Sequence, residues 1–109
     1  MINLEELFYD SVVERIGHFE HVGSYDISEM YEWDMFHVFW DPHTREFVWA
    51  YGSGCSCDWI REIYPHESDM PRGNREAVLR ALKDYHYSGY QPGQYTDQYT
   101  RLKEKIRAW

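Results

Sequence analysis

Two aromatic runs, Tyr31–Trp40 and Glu46–Tyr51, stand on either side of Asp41-Pro42-His43-Thr44-Arg45. Proline presets its own φ, and the aspartate before it can bond the backbone beyond it, so Asp41-Pro42 starts a turn. The flanking runs then read as the arms of an antiparallel hairpin. Setting Asp41 opposite Glu46 places Trp40 opposite Phe47, Val38 opposite Trp49 and Phe36 opposite Tyr51, all on one face. Cross-strand pairs of this kind contribute roughly 0.2–1 kcal/mol each. The other face pairs Phe39 with Val48 and His37 with Ala50. Neither face is strongly polar near its middle. The sheet is therefore expected to be covered by helices on one side and partly covered, or partner-facing, on the other. The second arm runs into Gly52-Ser53-Gly54-Cys55-Ser56-Cys57, which reads as a loop.

The rest of the chain supplies the cover. Over residues 3–16, Leu4, Leu7, Phe8, Val12 and Ile16 form one helical stripe, with Asn3 as N-cap, Glu6 at the capping-box position and Gly17 as the stop. Residues 18–26 alternate weakly, as a strand does. Residues 27–33 connect to the hairpin, and 58–64 hold at most one helical turn before Pro65, Pro71 and Gly73 break the pattern. Asn74 caps a helix to about Tyr87, with Val78, Leu82 and Tyr85 inward. Tyr95, Tyr99, Leu102, Ile106 and Trp109 recur at helical spacing in a last helix over 95–108. This stripe suits packing on the chain's own sheet; a partner-binding helix is the sharper alternative. The expectation is a single α+β domain over 1–109: a small antiparallel sheet centred on a hairpin at 34–52, packed by an N-terminal and two C-terminal helices.

Charge narrows the function. The net charge is −8, and residues 1–34 alone carry −8, because nine acids there face only Arg15. Glu5, Glu6, Asp10 and Glu14 on the first helix, with Glu29, Glu32 and Asp34 before the hairpin, are the candidate partner-binding residues. They would repel a phosphate backbone and attract a basic protein surface. A plainer reading makes them solubilising charges for an aromatic-rich chain. The acidic N-terminus has no positive n-region or apolar core of a signal peptide, and no stretch has the length of a membrane span, so a cytoplasmic protein is expected. It would be a monomer or a homodimer.

At the hairpin and the loop after it, the chain resembles small uncharacterised proteins of actinobacterial tailed phages and their hosts. The matching residues are Tyr31, Glu32, Trp33, Asp34, Met35, Trp40, Asp41, Trp49, Gly54, Cys55, Ser56 and Cys57. The resemblance covers about residues 31–57. After Cys57, Asp58-Trp59-Ile60 replaces the Pro-Phe-Glu-like stretch of those proteins. The resemblance implies phage origin and a helix-covered sheet, and it implies no active site.

Catalytic patterns are sparse. There is no nucleophile elbow, P-loop, dinucleotide fingerprint or EF-hand. Carboxylates are abundant, but nothing in the sequence places two of them together in a cleft. His18 and His21 are three apart, and His37 on a strand reads as a packed side chain. The Tyr-rich segment 85–99 can line the seam between two helices, contact a protein or stack on bases; only Lys83 and Arg101 flank it. Cys55 and Cys57 could supply two thiolates to a zinc ion, with His66 as a third ligand, in a module that could also touch nucleic acid. The alternative is that the glycines shape a turn and the cysteines pack as small hydrophobes. The expectation is a non-enzymatic accessory protein without cofactor that binds, and inhibits, a host protein. Elemental analysis of the purified protein is accordingly expected to find no stoichiometric zinc. Stoichiometric zinc that disappears in a Cys55→Ser/Cys57→Ser double variant would establish the zinc module instead.

Overall fold

The computed structural model describes residues 15–16, 18–28, 32–55, 67–88 and 95–109. Five antiparallel strands lie in sequential order: β1 (Arg15–Ile16), β2 (Phe19–Asp26), β3 (Glu32–Asp41), β4 (Glu46–Cys55) and β5 (Arg72–Gly73). Two helices follow, α1 (Arg75–Ser88) and α2 (Thr96–Ala108), and a 3₁₀ turn at Glu67–Asp69 precedes β5. The chain has the α+β architecture expected of it.

The hairpin has the expected register. Asp41 pairs with Glu46, Trp40 with Phe47, Val38 with Trp49, Phe36 with Tyr51, Phe39 with Val48 and His37 with Ala50. Its turn is closed by a 2.8 Å hydrogen bond from the Arg45 N–H to the Asp41 carbonyl, and Arg45 takes the left-handed conformation at φ 57°. The arms are longer than the sequence suggests. Gly52–Cys55, read as loop, continues β4 and pairs back to Glu32. The reason is local: Trp33 stands opposite Gly54, and a Cβ on Gly54 would meet the indole Nε1 at 2.7 Å. The glycine leaves room for the ring to lie over the backbone, so a residue type that normally weakens a strand becomes a packing surface.

One face of the sheet packs on the helices. Val22, Tyr25, Phe36, Val38, Phe47 and Trp49 join Val78 and Leu82 of α1 and Tyr99, Leu102 and Ile106 of α2 in one core, with Trp40 at its edge. An irregularity between His21 and Gly23 takes Val22 out of the one-to-one pairing. Gly23 then admits α2 directly onto β2, since a Cβ there would meet Leu102 Cδ1 at 2.8 Å. The helices run antiparallel, and the start of α1 and the end of α2, side by side, are both capped. The Asn74 Oδ1 accepts the Ala77 N–H at 2.9 Å at the start of α1. Arg75 donates to the Ile106 carbonyl at 3.2 Å and the Trp109 carbonyl at 2.7 Å, which satisfies acceptors that the end of α2 leaves open.

Three sequence expectations are corrected. The second sheet face is not partly open: Phe19, Phe39, Val48 and Ala50 are fully buried, and Trp33, Met35 and His37 nearly so. A two-sided apolar strand pair cannot stay in water on one side without exposing a large patch, and here it does not. Residues 15–16 are strand β1, antiparallel to Phe19–Glu20, and not the end of a helix. The stripe of α2 is buried only at Tyr99, Leu102 and Ile106; Trp109 is exposed, and Tyr95 sits outside the helix at φ 61°. The helical expectation for 3–14 and the single turn at 58–64 lie outside the described residues.

Trp49 shows how much the helix-side core carries. It is 6% exposed and faces Val38 across the hairpin. Trp49→Ala is expected to cost about 3–5 kcal/mol in urea denaturation, as large aromatic truncations do. An unchanged midpoint would show that this face is not core.

Candidate functional site

Of the residues expected to bind a partner, Glu5, Glu6, Asp10, Glu14 and Glu29 lie outside the described residues. Glu32, at the start of β3, is exposed. Asp34 is half-buried and accepts a hydrogen bond from the Tyr85 hydroxyl of α1. Burial raises the Asp34 carboxyl above the usual range; the Tyr85 bond opposes the rise and Asp26 adds to it. This carboxylate is therefore part of the sheet–helix joint as well as of the acidic end of the chain. Cys57 and His66 lie outside the described residues, and Cys55 ends β4. Among the described residues, no group of three or more His, Cys, Asp or Glu is arranged to hold a metal ion.

The fold assembles three polar clusters. The first is at the hairpin turn. Asp41 is buried, yet its carboxylate accepts the His43 N–H at 2.9 Å and an Arg72 N–H at 3.2 Å, with His18 Nε2 at 3.4 Å. Burial is the largest influence on this carboxyl and pushes its pKa up. The hydrogen bonds from His43, Thr44 and Arg72 together outweigh it and hold the pKa below the usual range. The cluster ties β5 to the turn.

The second cluster joins the sheet to the helices. The Tyr25 hydroxyl lies 2.9 Å from His86 Nδ1, and the His86 ring stacks on Tyr99 with centroids 4.1 Å apart. Burial, then the charges of Asp34 and Tyr95, push the Tyr25 phenol up to about 12. Burial and the nearby Lys103 push His86 down, so its ring is neutral at pH 7. Two side chains that could carry protons are thereby held uncharged inside the core.

The third cluster is on the other sheet face. Ser24 Oγ lies 2.8 Å from His21 Nε2 and 2.6 Å from His37 Nδ1, and His37 Nε2 lies 3.3 Å from the Met35 sulfur. A thioether can only accept, so His37 carries its proton on Nε2. Nδ1 is then the acceptor for the Ser24 hydroxyl, and the Ser24 oxygen accepts from His21. A serine bonded to an imidazole resembles an activated nucleophile, but the pattern behind it differs. Ser-His-Asp triads place a carboxylate on the far nitrogen to stabilise the imidazolium; here that position holds the Met35 sulfur in a dry environment. The arrangement suits a buried hydrogen-bond chain that fixes the β2–β3 register.

The sequence names His21 and His37 but does not join them through Ser24. That link needs the irregularity at Val22, which brings Ser24 opposite His37. Nor does any local pattern connect Tyr25 with His86, 61 residues apart.

Comparison with known proteins places the chain. A family model described as a domain of unknown function, DUF7574, matches residues 10–107. The chain belongs to this family. The match takes in all five strands, α1 and nearly all of α2. No curated protein and no solved structure matches the chain. No helix among the described residues is long and apolar enough to cross a membrane.

His37 makes acid stability a test of the third cluster. Burial, the largest cause, and the neighbouring His21 lower its pKa from 6.5 to about 4, against a weaker upward pull from Asp26. The unfolded chain takes up a proton on this residue near pH 6.5, and the folded chain only near pH 4. Between those values the unfolded state binds more protons, so stability rises with pH and is lost on acidification. The difference is worth on the order of 3 kcal/mol at about 1.36 kcal/mol per pH unit. Urea denaturation is expected to show stability falling as pH drops from 6.5 to about 4. His37→Gln is expected to flatten that slope. An unaltered slope in the variant would mean that His37 is not held neutral.

Proposed function

We propose that this domain is a non-enzymatic accessory protein of phage origin that binds a host cytoplasmic protein with a basic surface, and inhibits it. The observation that carries the reading is the concentration of acid: residues 1–34 hold a charge equal to that of the whole chain, −8. Such a local field accelerates encounter with a positive surface and discourages wrong partners more than it adds final affinity. Contact area is available as well, because Tyr51, Tyr87 and Trp109 are each more than two-fifths exposed, whereas the other large apolar side chains among the described residues are mostly buried. Exposed tyrosine and tryptophan give rigid contact surface at low entropic cost. The clusters around Asp41, Tyr25 and Ser24 are committed to fold contacts, which agrees with a binding role.

The test begins with capture of the partner from host lysate and continues with its association rate. Exposed charges are screened over about 8–10 Å at physiological salt, so raising the salt is expected to slow association. Charge reversal at Glu5, Glu6 and Glu14 should slow it on the order of tenfold at low salt and leave the circular dichroism unchanged. An association rate that ignores both salt and these reversals would reduce the acids to a solubilising surface.

A further inference from the structure

The two helices carry a charge opposite to that of the rest of the chain. They hold seven of its eleven Lys and Arg residues against four acids, a net of +3 in a protein of net −8, which leaves −11 outside them. Their seam gathers part of that positive charge around aromatic rings. Tyr87, in the last turn of α1, is 53% exposed, and its ring lies 6.1 Å from that of Tyr99 on α2. Lys103 is half-buried with its Nζ 4.7 Å from the centre of the Tyr99 ring. Arg107, one turn further along α2, is exposed and acts on the same Tyr99 hydroxyl. Lys83 is exposed one turn before Tyr87 on α1. Asp84 and Glu104 border the seam, three residues before Tyr87 and Arg107, so Lys83, Lys103 and Arg107 stand against two flanking acids. The sequence shows Lys83 and Arg101 beside the tyrosines; Lys103 meets Tyr99 one helical turn along α2, and packing of the helices brings Tyr87 to that ring.

We propose that this seam, formed by Lys83, Tyr87, Lys103 and Arg107, is a docking surface for a short acidic peptide segment of a partner protein. Carboxylates pair with lysine and arginine in charge-assisted hydrogen bonds, and Lys103, already against an aromatic face, is partly stripped of water before a ligand arrives. Tyr87 adds a flat ring with a polar tip. The size of the patch selects the ligand. An extended polyanion such as nucleic acid needs a longer run of cations than the three of the seam, in a protein of net charge −8, whereas a short acidic segment matches them in length. The proposal stands without the function proposed for residues 1–34.

The probe is a fluorescein-labelled hexaglutamate peptide, titrated at low salt and followed by anisotropy. Saturable binding is expected, weakened on the order of tenfold in Lys103→Gln/Arg107→Gln and in Tyr87→Ala, each variant keeping the wild-type circular dichroism. Lys83→Gln, which removes an exposed cation outside the core cluster, keeps the test on a native fold if the others lose structure; it too should weaken binding. Absence of saturable binding, or binding unchanged in these variants, overturns the proposal. Tighter binding of an oligothymidylate would make the seam a nucleic-acid surface instead. Self-association at low salt, abolished by the same variants in sedimentation, would assign the seam to the acidic residues of a second copy. Either result also overturns the proposal.

Discussion

The ten-residue pairing of β3 with β4 puts apolar side chains on both faces of the sheet, and the rest of the fold answers to that fact. A hairpin with one polar face needs one layer of cover; this one needs two. On the helix side, Phe36, Val38 and Trp49 are met by Val78, Leu82, Leu102 and Ile106. On the other side, Phe19, Phe39 and Val48 are equally dry. A slip of one residue would exchange the two faces and move Trp33 away from Gly54, so both the hydrophobic pattern and this one close contact specify the register.

Two-sided burial takes polar groups with it. His37, Asp41 and His86 lie almost wholly out of contact with solvent. Each is matched to partners that suit its uncharged or charged form. His37 and His86 are neutral rings bonded to hydroxyls, while Asp41 stays ionised because N–H donors surround it. A buried group left without partners would cost more than the bond it lacks. The same accounting explains why residues of catalytic type need not signal catalysis: Ser24 beside His37 satisfies a buried face, and sulfur takes the place a carboxylate would need.

Charge is unevenly divided along the chain. The two described helices are net positive and the rest of the sequence is strongly negative, a division that the total charge conceals. Within the helices, Arg75 spends its donors on the end of α2, whereas Lys103 and Arg107 stay at the surface beside tyrosine. The first arrangement fixes the fold; the second leaves charge available to a ligand.

The sequence by itself determined what depends on neighbours in the chain. The turn at Asp41-Pro42 and the two-residue period set the hairpin register. Asn74 and the spacing of Val78 and Leu82 set α1, and Tyr99, Leu102 and Ile106 set the buried stripe of α2. Tertiary structure decided whatever rests on groups brought together from a distance. Gly52–Cys55 reads as a loop by glycine content and is strand because Trp33 covers Gly54. Arg15–Ile16 continues a helical stripe in sequence and is strand because β2 offers a pairing edge. Ser24 meets His37 through an irregularity at Val22 that no local pattern announces. Tyr87 meets the Tyr99 ring of a helix that begins eight residues after its own ends. Local propensity acts over a few residues, whereas these contacts form only when the sheet and both helices are packed at once.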